Sequence, residues 1–110
     1  METIEYLDLR GRSPFGEWFA KLEAKAAAKV VSALARLVEG NVSNVKSVGG
    51  GVAEVRIDYG PGYRIYFGRE GDKIVVLLGG GTKQRQRRDI ENARSRWHDY
   101  RQKRTGRTCH

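Results

Sequence analysis

An α+β domain, a small sheet with helices packed against it, is the fold class that this sequence of 110 residues predicts. Three observations carry the prediction. Apolar residues recur at helical spacing between residues 14 and 38, the period changes to two between residues 52 and 68, and helical spacing returns after residue 82. The length suits one modest core rather than two, so residues 1–104 are expected to form a single domain.

The segment "TIEYLDL" has strand composition and is the expected first strand. In "RSPFGEWFAKLEAK", Ser13 can cap a helix with Pro14 at its first position, and Phe15, Trp18, Phe19 and Leu22 then share one face. "AKAAAKVVSALARLVEGN" continues with high alanine content. Ala27, Val30, Val31, Leu34, Leu37 and Val38 form its expected stripe, and Gly40 its stop. The two stretches are either a helical pair or one helix broken near residues 23–26.

After "NVSNVKSVGGG" the period is two. Val55, Ile57 and Tyr59 alternate with Glu54, Arg56 and Asp58; Gly60-Pro61-Gly62 makes a turn; Tyr63, Ile65 and Phe67 alternate with Arg64 and Tyr66. "REGD" is a second turn, and "KIVVLLGGG" is apolar throughout, as expected of a strand covered on both faces. "TKQRQRRDIENARSRWHDYRQKR" places Ile90, Ala93, Trp97 and Tyr100 at helical spacing, and "TGRTCH", residues 105–110, is expected to be a disordered tail. The expected order is β-α-α-β-β-β-α.

The formal net charge is +8, and it is unevenly spread. Residues 1–81 hold 11 Lys/Arg against 10 Asp/Glu, whereas residues 82–110 hold 10 Lys/Arg against Asp89, Glu91 and Asp99. A concentrated positive field suits a polyanion, either nucleic acid or an acidic protein, and Arg85, Arg87, Arg88 and Arg94 are the candidate contacts, to RNA if the partner is nucleic acid. A solvated helix with a basic tail is the alternative. No apolar run approaches the roughly 20 residues that span a bilayer, and the first residues lack a signal-peptide core, so no membrane partner is expected. The one cysteine, Cys109, leaves no intramolecular disulfide, which fits a cytoplasmic protein.

The hairpin raises the sharpest question. Pairing Tyr59 near Tyr63 sets Asp58 opposite Arg64 and Arg56 opposite Tyr66, with the even residues Glu54, Arg56, Asp58, Arg64 and Tyr66 on an uncovered face. Such a face can carry cross-strand ion pairs, worth about 0–1 kcal/mol each. It can equally hold an anion, because planar guanidiniums grip phosphate bidentately. Lys83 and Arg85, just past the last strand, would join it if that strand lies beside the hairpin. His98 and His110 are the only histidines, and no paired cysteines or clustered carboxylates suggest a metal. The glycine triplets lack a Walker pattern and are expected at turns and strand ends, so no cofactor is implied. Trp18 and Trp97 are expected in the core and His98 on a helix surface.

The stretch "VAEVRIDYGPGYRIYFGREGDKIVVLLGGGTKQRQRRDIENA", with "SPFGEWFAKL" before it and "RDIENARSRW" at its end, resembles the RelE/ParE superfamily of toxin–antitoxin toxins. The closest likeness is to the HigB-like "addiction module killer protein" branch. The resemblance implies a RelE-like curved sheet with two N-terminal helices and a basic C-terminal helix. It also implies a type II toxin held by a cognate antitoxin. In the RelE type the toxin is an mRNA interferase, a metal-independent endoribonuclease that cleaves mRNA on the ribosome and stops translation. By position, Arg56 matches a basic residue of the hairpin's first arm, Arg64 the second-arm arginine, and Lys83 the lysine after the last strand. The arginine that follows in the family falls on Gln84, with Arg85 one place later. Glu54 stands where RelE has a lysine, and the family's C-terminal tyrosine or histidine has no match near Ile90. On this likeness Arg56 and Arg64 hold the scissile phosphate, while Lys83, Glu54 and Tyr66 are the candidates for proton transfer. The alternative within the superfamily is a ParE-type toxin that poisons DNA gyrase without cleaving RNA. A basic nucleic-acid-binding module without chemistry is a third reading.

Overall fold

Alternation along the strands gives one sheet two apolar faces, and each must be covered. The protein, seen here in a computed structural model, is described over residues 1–108. The elements are β1 (Glu2–Glu5), α1 (Pro14–Ala20), α2 (Ala24–Val38), β2 (Val45–Gly49), β3 (Val52–Ile57), β4 (Tyr63–Glu70), β5 (Ile74–Thr82), a 3₁₀ turn (Lys83–Arg85) and α3 (Gln86–Thr108). The sheet order is β1-β5-β4-β3-β2, with β1 parallel to β5 and all other neighbours antiparallel. The class is α+β, consistent with the RelE-like fold.

The helical stretch is two helices, not one broken rod. Ser13 accepts a hydrogen bond from the Gly16 amide at 2.9 Å and Pro14 opens α1, as the local signals require. Phe15, Val30, Leu37, Val55, Ile65 and Phe67 build the first core between α1, α2 and the odd face of the sheet. The buried stripe of α2 is Ala26, Val30, Ala33 and Leu37, rotated from the expected one, and Val31 is 56% exposed.

β2 is a strand more than the expected order allowed. It is a short edge strand with a register shift between Ser47 and Gly49; Val45 packs against the first core and Val48, three residues on, against the second. Apolar residues three apart face opposite sides of a strand, so this segment shows no alternation of apolar and polar residues.

The larger correction concerns the even face of the hairpin. It is not uncovered: α3 lies across it, and Tyr6, Val52, Tyr66, Val76, Leu78, Ala93 and Trp97 form a second core there. Glu54, Arg64 and Tyr66 are consequently 1%, 5% and 0% exposed. Trp97 is core as expected, Ile90 and Tyr100 pack beside it, and His98 is exposed. β5 is covered on both faces, also as expected.

The glycines of "GGG", Gly79 to Gly81, stand at the C-terminal end of β5, just before its last residue Thr82, as expected. A Cβ on Gly80 would collide with the Trp18 ring of α1, and one on Gly81 with the Asp89 carboxylate of α3. They are where helices from both sides press onto the backbone. α3 continues through Thr108, and the rest of the expected tail, Cys109 and His110, lies outside the described residues.

Candidate functional site

The hairpin register differs from the expected one by two residues. Arg56 lies opposite Arg64, Glu54 opposite Tyr66 and Val55 opposite Ile65. Neither the Asp58–Arg64 nor the Arg56–Tyr66 pairing forms, because β3 ends at Ile57 and leaves Tyr59 in the turn, its amide bonded to the Ile57 carbonyl at 3.0 Å. A shift of two preserves the side on which every residue points. The two arginines therefore share a face, as expected, and stand as direct cross-strand neighbours.

A cavity of ≈ 350 Å³ opens at this end of the sheet, and Lys46, Arg56, Asp58, Gly62, Arg64 and Lys83 are among its lining residues. Backbone hydrogen bonds hold its walls together. The Lys83 amide donates to the Gly62 carbonyl at 2.8 Å, which ties the start of the 3₁₀ turn to the hairpin turn. The Arg56 amide donates to the Asn44 carbonyl at 3.0 Å, which fixes the edge segment before β2. Gly62 has φ +80°, and its missing side chain leaves room for Lys83 and the Arg64 Nη1 beside it.

Arg64 is the buried member. Its Nε stands 3.7 Å from the Glu54 Oε1, and its Nη1 donates to the Tyr63 carbonyl at 3.3 Å. Glu54 is held in turn by the Gln86 side-chain amide at 3.0 Å from each oxygen. Arg56, Lys46 and Lys83 are exposed, and among the described residues none has a carboxylate within 4.0 Å. Tyr66 is buried beside Glu54, its hydroxyl without a hydrogen bond of acceptable geometry. Burial, and then the Glu54 and Asp89 charges, push its pKa up. Glu54 and Tyr66 thus do not line the cavity; Arg64 lines it while 5% exposed, and the exposed charged groups around it are Arg56, Lys83, Lys46 and Asp58.

The family model described as "Phage derived protein Gp49-like (DUF891)" matches residues 17–98, a stretch that contains every charged residue of this cavity. The chain belongs to the Gp49-like family. That family lies within the RelE/HigB-like toxin superfamily, and its members are commonly toxins of toxin–antitoxin systems. An uncharacterized protein of Haemophilus influenzae is 42% identical over 81 residues, which covers 73% of this chain and 82% of the relative.

The four α3-side arginines of this Gp49-like protein divide in the structure. Arg85, Arg87 and Arg88 are exposed around the start of α3. Arg94 instead reaches across to the sheet edge, where its Nε donates to the Val48 carbonyl at 3.0 Å and its Nη2 contacts the same oxygen. Arg96, unremarked in the sequence, donates to the Leu78 carbonyl at 2.9 Å, and burial lowers its pKa. Sequence reasoning also missed Lys46, which sits on the unrecognised strand opposite Glu54, and Gln86, whose polar side chain gave no sign of its buried partner. Among the described residues no helix is long and apolar enough to cross a membrane, and no three His, Cys, Asp or Glu side chains cluster as metal ligands.

Proposed function

We propose that this Gp49-like toxin is an endoribonuclease of the HigB-like kind, acting on mRNA at the ribosome in the cytoplasm and restrained by a cognate antitoxin. The observation that carries the reading is the direct opposition of Arg56 and Arg64, with Lys83 and Lys46 lining the same cavity. Four cations around one opening suit a phosphodiester, whose charge rises as the phosphorus becomes pentavalent.

In this reading Arg56 and Arg64 grip the non-bridging oxygens, and Glu54 with Gln86 positions Arg64 rather than touching substrate. Asp58, which lines the cavity, accepts the proton of the ribose 2′-OH. The 2′-oxygen attacks phosphorus, the P–O5′ bond breaks, and Lys83 donates a proton to the departing 5′-oxygen. The products are a 2′,3′-cyclic phosphate and a 5′-hydroxyl, so atoms and protons balance. Tyr66 supports Arg64 and Glu54 from beneath. Arg85, Arg87 and Arg88 add sequence-independent contacts to mRNA or ribosomal RNA phosphates, and Arg94 serves chiefly to dock α3.

Induction in cells, followed by labelled-precursor incorporation and primer extension on abundant messages, tests the reading. Translation arrest with new message 5′ ends supports it. Replication arrest with intact messages points instead to the gyrase-poisoning activity of ParE-type toxins. Because Arg64 is buried, the decisive variant is Arg56→Ala/Lys83→Ala, both exposed positions. A folded double variant that remains toxic and still cuts RNA defeats the assignment.

A further inference from the structure

We propose that a single-stranded polynucleotide extends beyond the arginine-pair cavity into a second cavity between α2 and β3, where Lys29 and Arg36 hold the neighbouring phosphate. The proposal rests on the nuclease reading and adds the path of the strand. The second cavity, ≈ 240 Å³, shares Ser43, Asn44, Val45, Arg56 and Asp58 with the first, so the two adjoin at Arg56. Arg56 is thus not the limit of a single anion site but the junction of two.

The cations of the second cavity are placed for this purpose by the helix. Lys29 and Arg36 are seven residues apart on α2, two turns along one face, and both line the opening. Both are exposed, and among the described residues neither has a carboxylate within 4.0 Å. The Lys29 ammonium stands 5.6 Å over the Tyr59 ring, a contact that holds it at the cavity wall without neutralising it. Two carboxylates face the region: Asp58, shared with the first cavity, and Glu23, which accepts the Tyr59 hydroxyl at 3.3 Å. Asn41 and Asn44 add amides able to meet base edges. A run of unpaired cations interleaved with amides along a continuous opening matches a phosphodiester chain better than a compact ligand.

The test uses a 2′-O-methyl oligoribonucleotide, which cannot be cleaved, and a 2′-O-methyl dinucleotide short enough to fill only the first cavity. Binding is followed by fluorescence anisotropy across a salt series. Lys29→Ala/Arg36→Ala is expected to weaken the oligonucleotide about tenfold, the scale of a lost charge-assisted contact, and to leave the dinucleotide unchanged. The salt slope should fall by about 0.7 for the one phosphate released. Thermal unfolding of the variant checks that these surface changes leave the fold intact. Unchanged oligonucleotide affinity and slope, with binding still abolished by Arg56→Ala/Lys83→Ala, overturns the second cavity and leaves the first standing. Indifference to both double variants, or no oligonucleotide binding by the wild type, overturns both readings. A polyglutamate peptide that displaces the oligonucleotide equally well, and depends on Lys29 and Arg36, makes the second cavity a site for an acidic protein segment and overturns the strand path.

Discussion

Arg56 on β3 and Arg64 on β4 are direct cross-strand neighbours on the same side of the sheet, and of the two only Arg64 has a carboxylate within 4.0 Å among the described residues, Glu54 at 3.7 Å. Like charges in that arrangement oppose folding. In the proposed reading an anion bound between them would remove the repulsion.

The first prediction follows from that repulsion. Arg56→Ala should raise folding stability slightly, by about 0.2–1 kcal/mol, the scale of a cross-strand pair, while it weakens oligonucleotide binding. Urea unfolding at low salt reads the stability change, and added phosphate should narrow the difference by occupying the wild-type site. A variant less stable than wild type would mean that Arg56 makes a contact worth more than the repulsion.

Glu54 should matter through Arg64 and Gln86, both of which it faces in a buried setting. Glu54→Ala leaves a guanidinium without its counter-charge and an amide without its acceptor. The expected loss is about 3–5 kcal/mol, typical of removing one partner from a buried charged pair. Glu54→Gln keeps the shape and one acceptor and should cost less. Chemical denaturation of the two variants measures both values. Equal and small losses would show that Arg64 is held by something else.

Asp89 offers a pH test of how α3 is seated. Its carboxylate lies over Gly81, one oxygen is buried without a hydrogen bond, and burial raises its pKa above 3.8 despite Arg85, Arg96 and Arg88. The folded state therefore binds this proton more tightly than the unfolded chain does. The resulting stabilisation is complete below the unfolded value and is lost as pH rises through the folded one. Asp89→Asn removes that dependence. The variant should gain on wild type in melting temperature as pH rises from below 3.8 toward neutrality. A difference that does not change with pH contradicts the buried-carboxylate account.

How much of this could be read along the chain depends on the range of the forces involved. The α1 cap at Ser13 and Pro14 is local and forms as written, whereas the turn at Gly60-Pro61-Gly62 forms but also takes in Asp58 and Tyr59. The alternation around Arg56 and Arg64 placed both on one face, since a register error of two residues leaves parity intact. β2 was invisible because its two valines, three residues apart in a short strand, face opposite sides of the sheet. Gly80 and Gly81 looked like punctuation, because nothing adjacent to them in sequence announces that Trp18 and Asp89 press on them.

For the site, residue type and spacing along the chain sufficed to nominate Arg56, Arg64 and Lys83 and to place the first two on a common side. Guanidinium chemistry and the two-residue repeat of a strand are properties of the chain itself. Which of these groups meets solvent was decided by α3, whose docking buries Glu54, Arg64 and Tyr66 and leaves Arg56, Lys83, Lys46 and Asp58 around the opening. Burial is a relation between distant segments, set by where a 23-residue helix finds the apolar surface it can cover. Only the assembled fold contains that information.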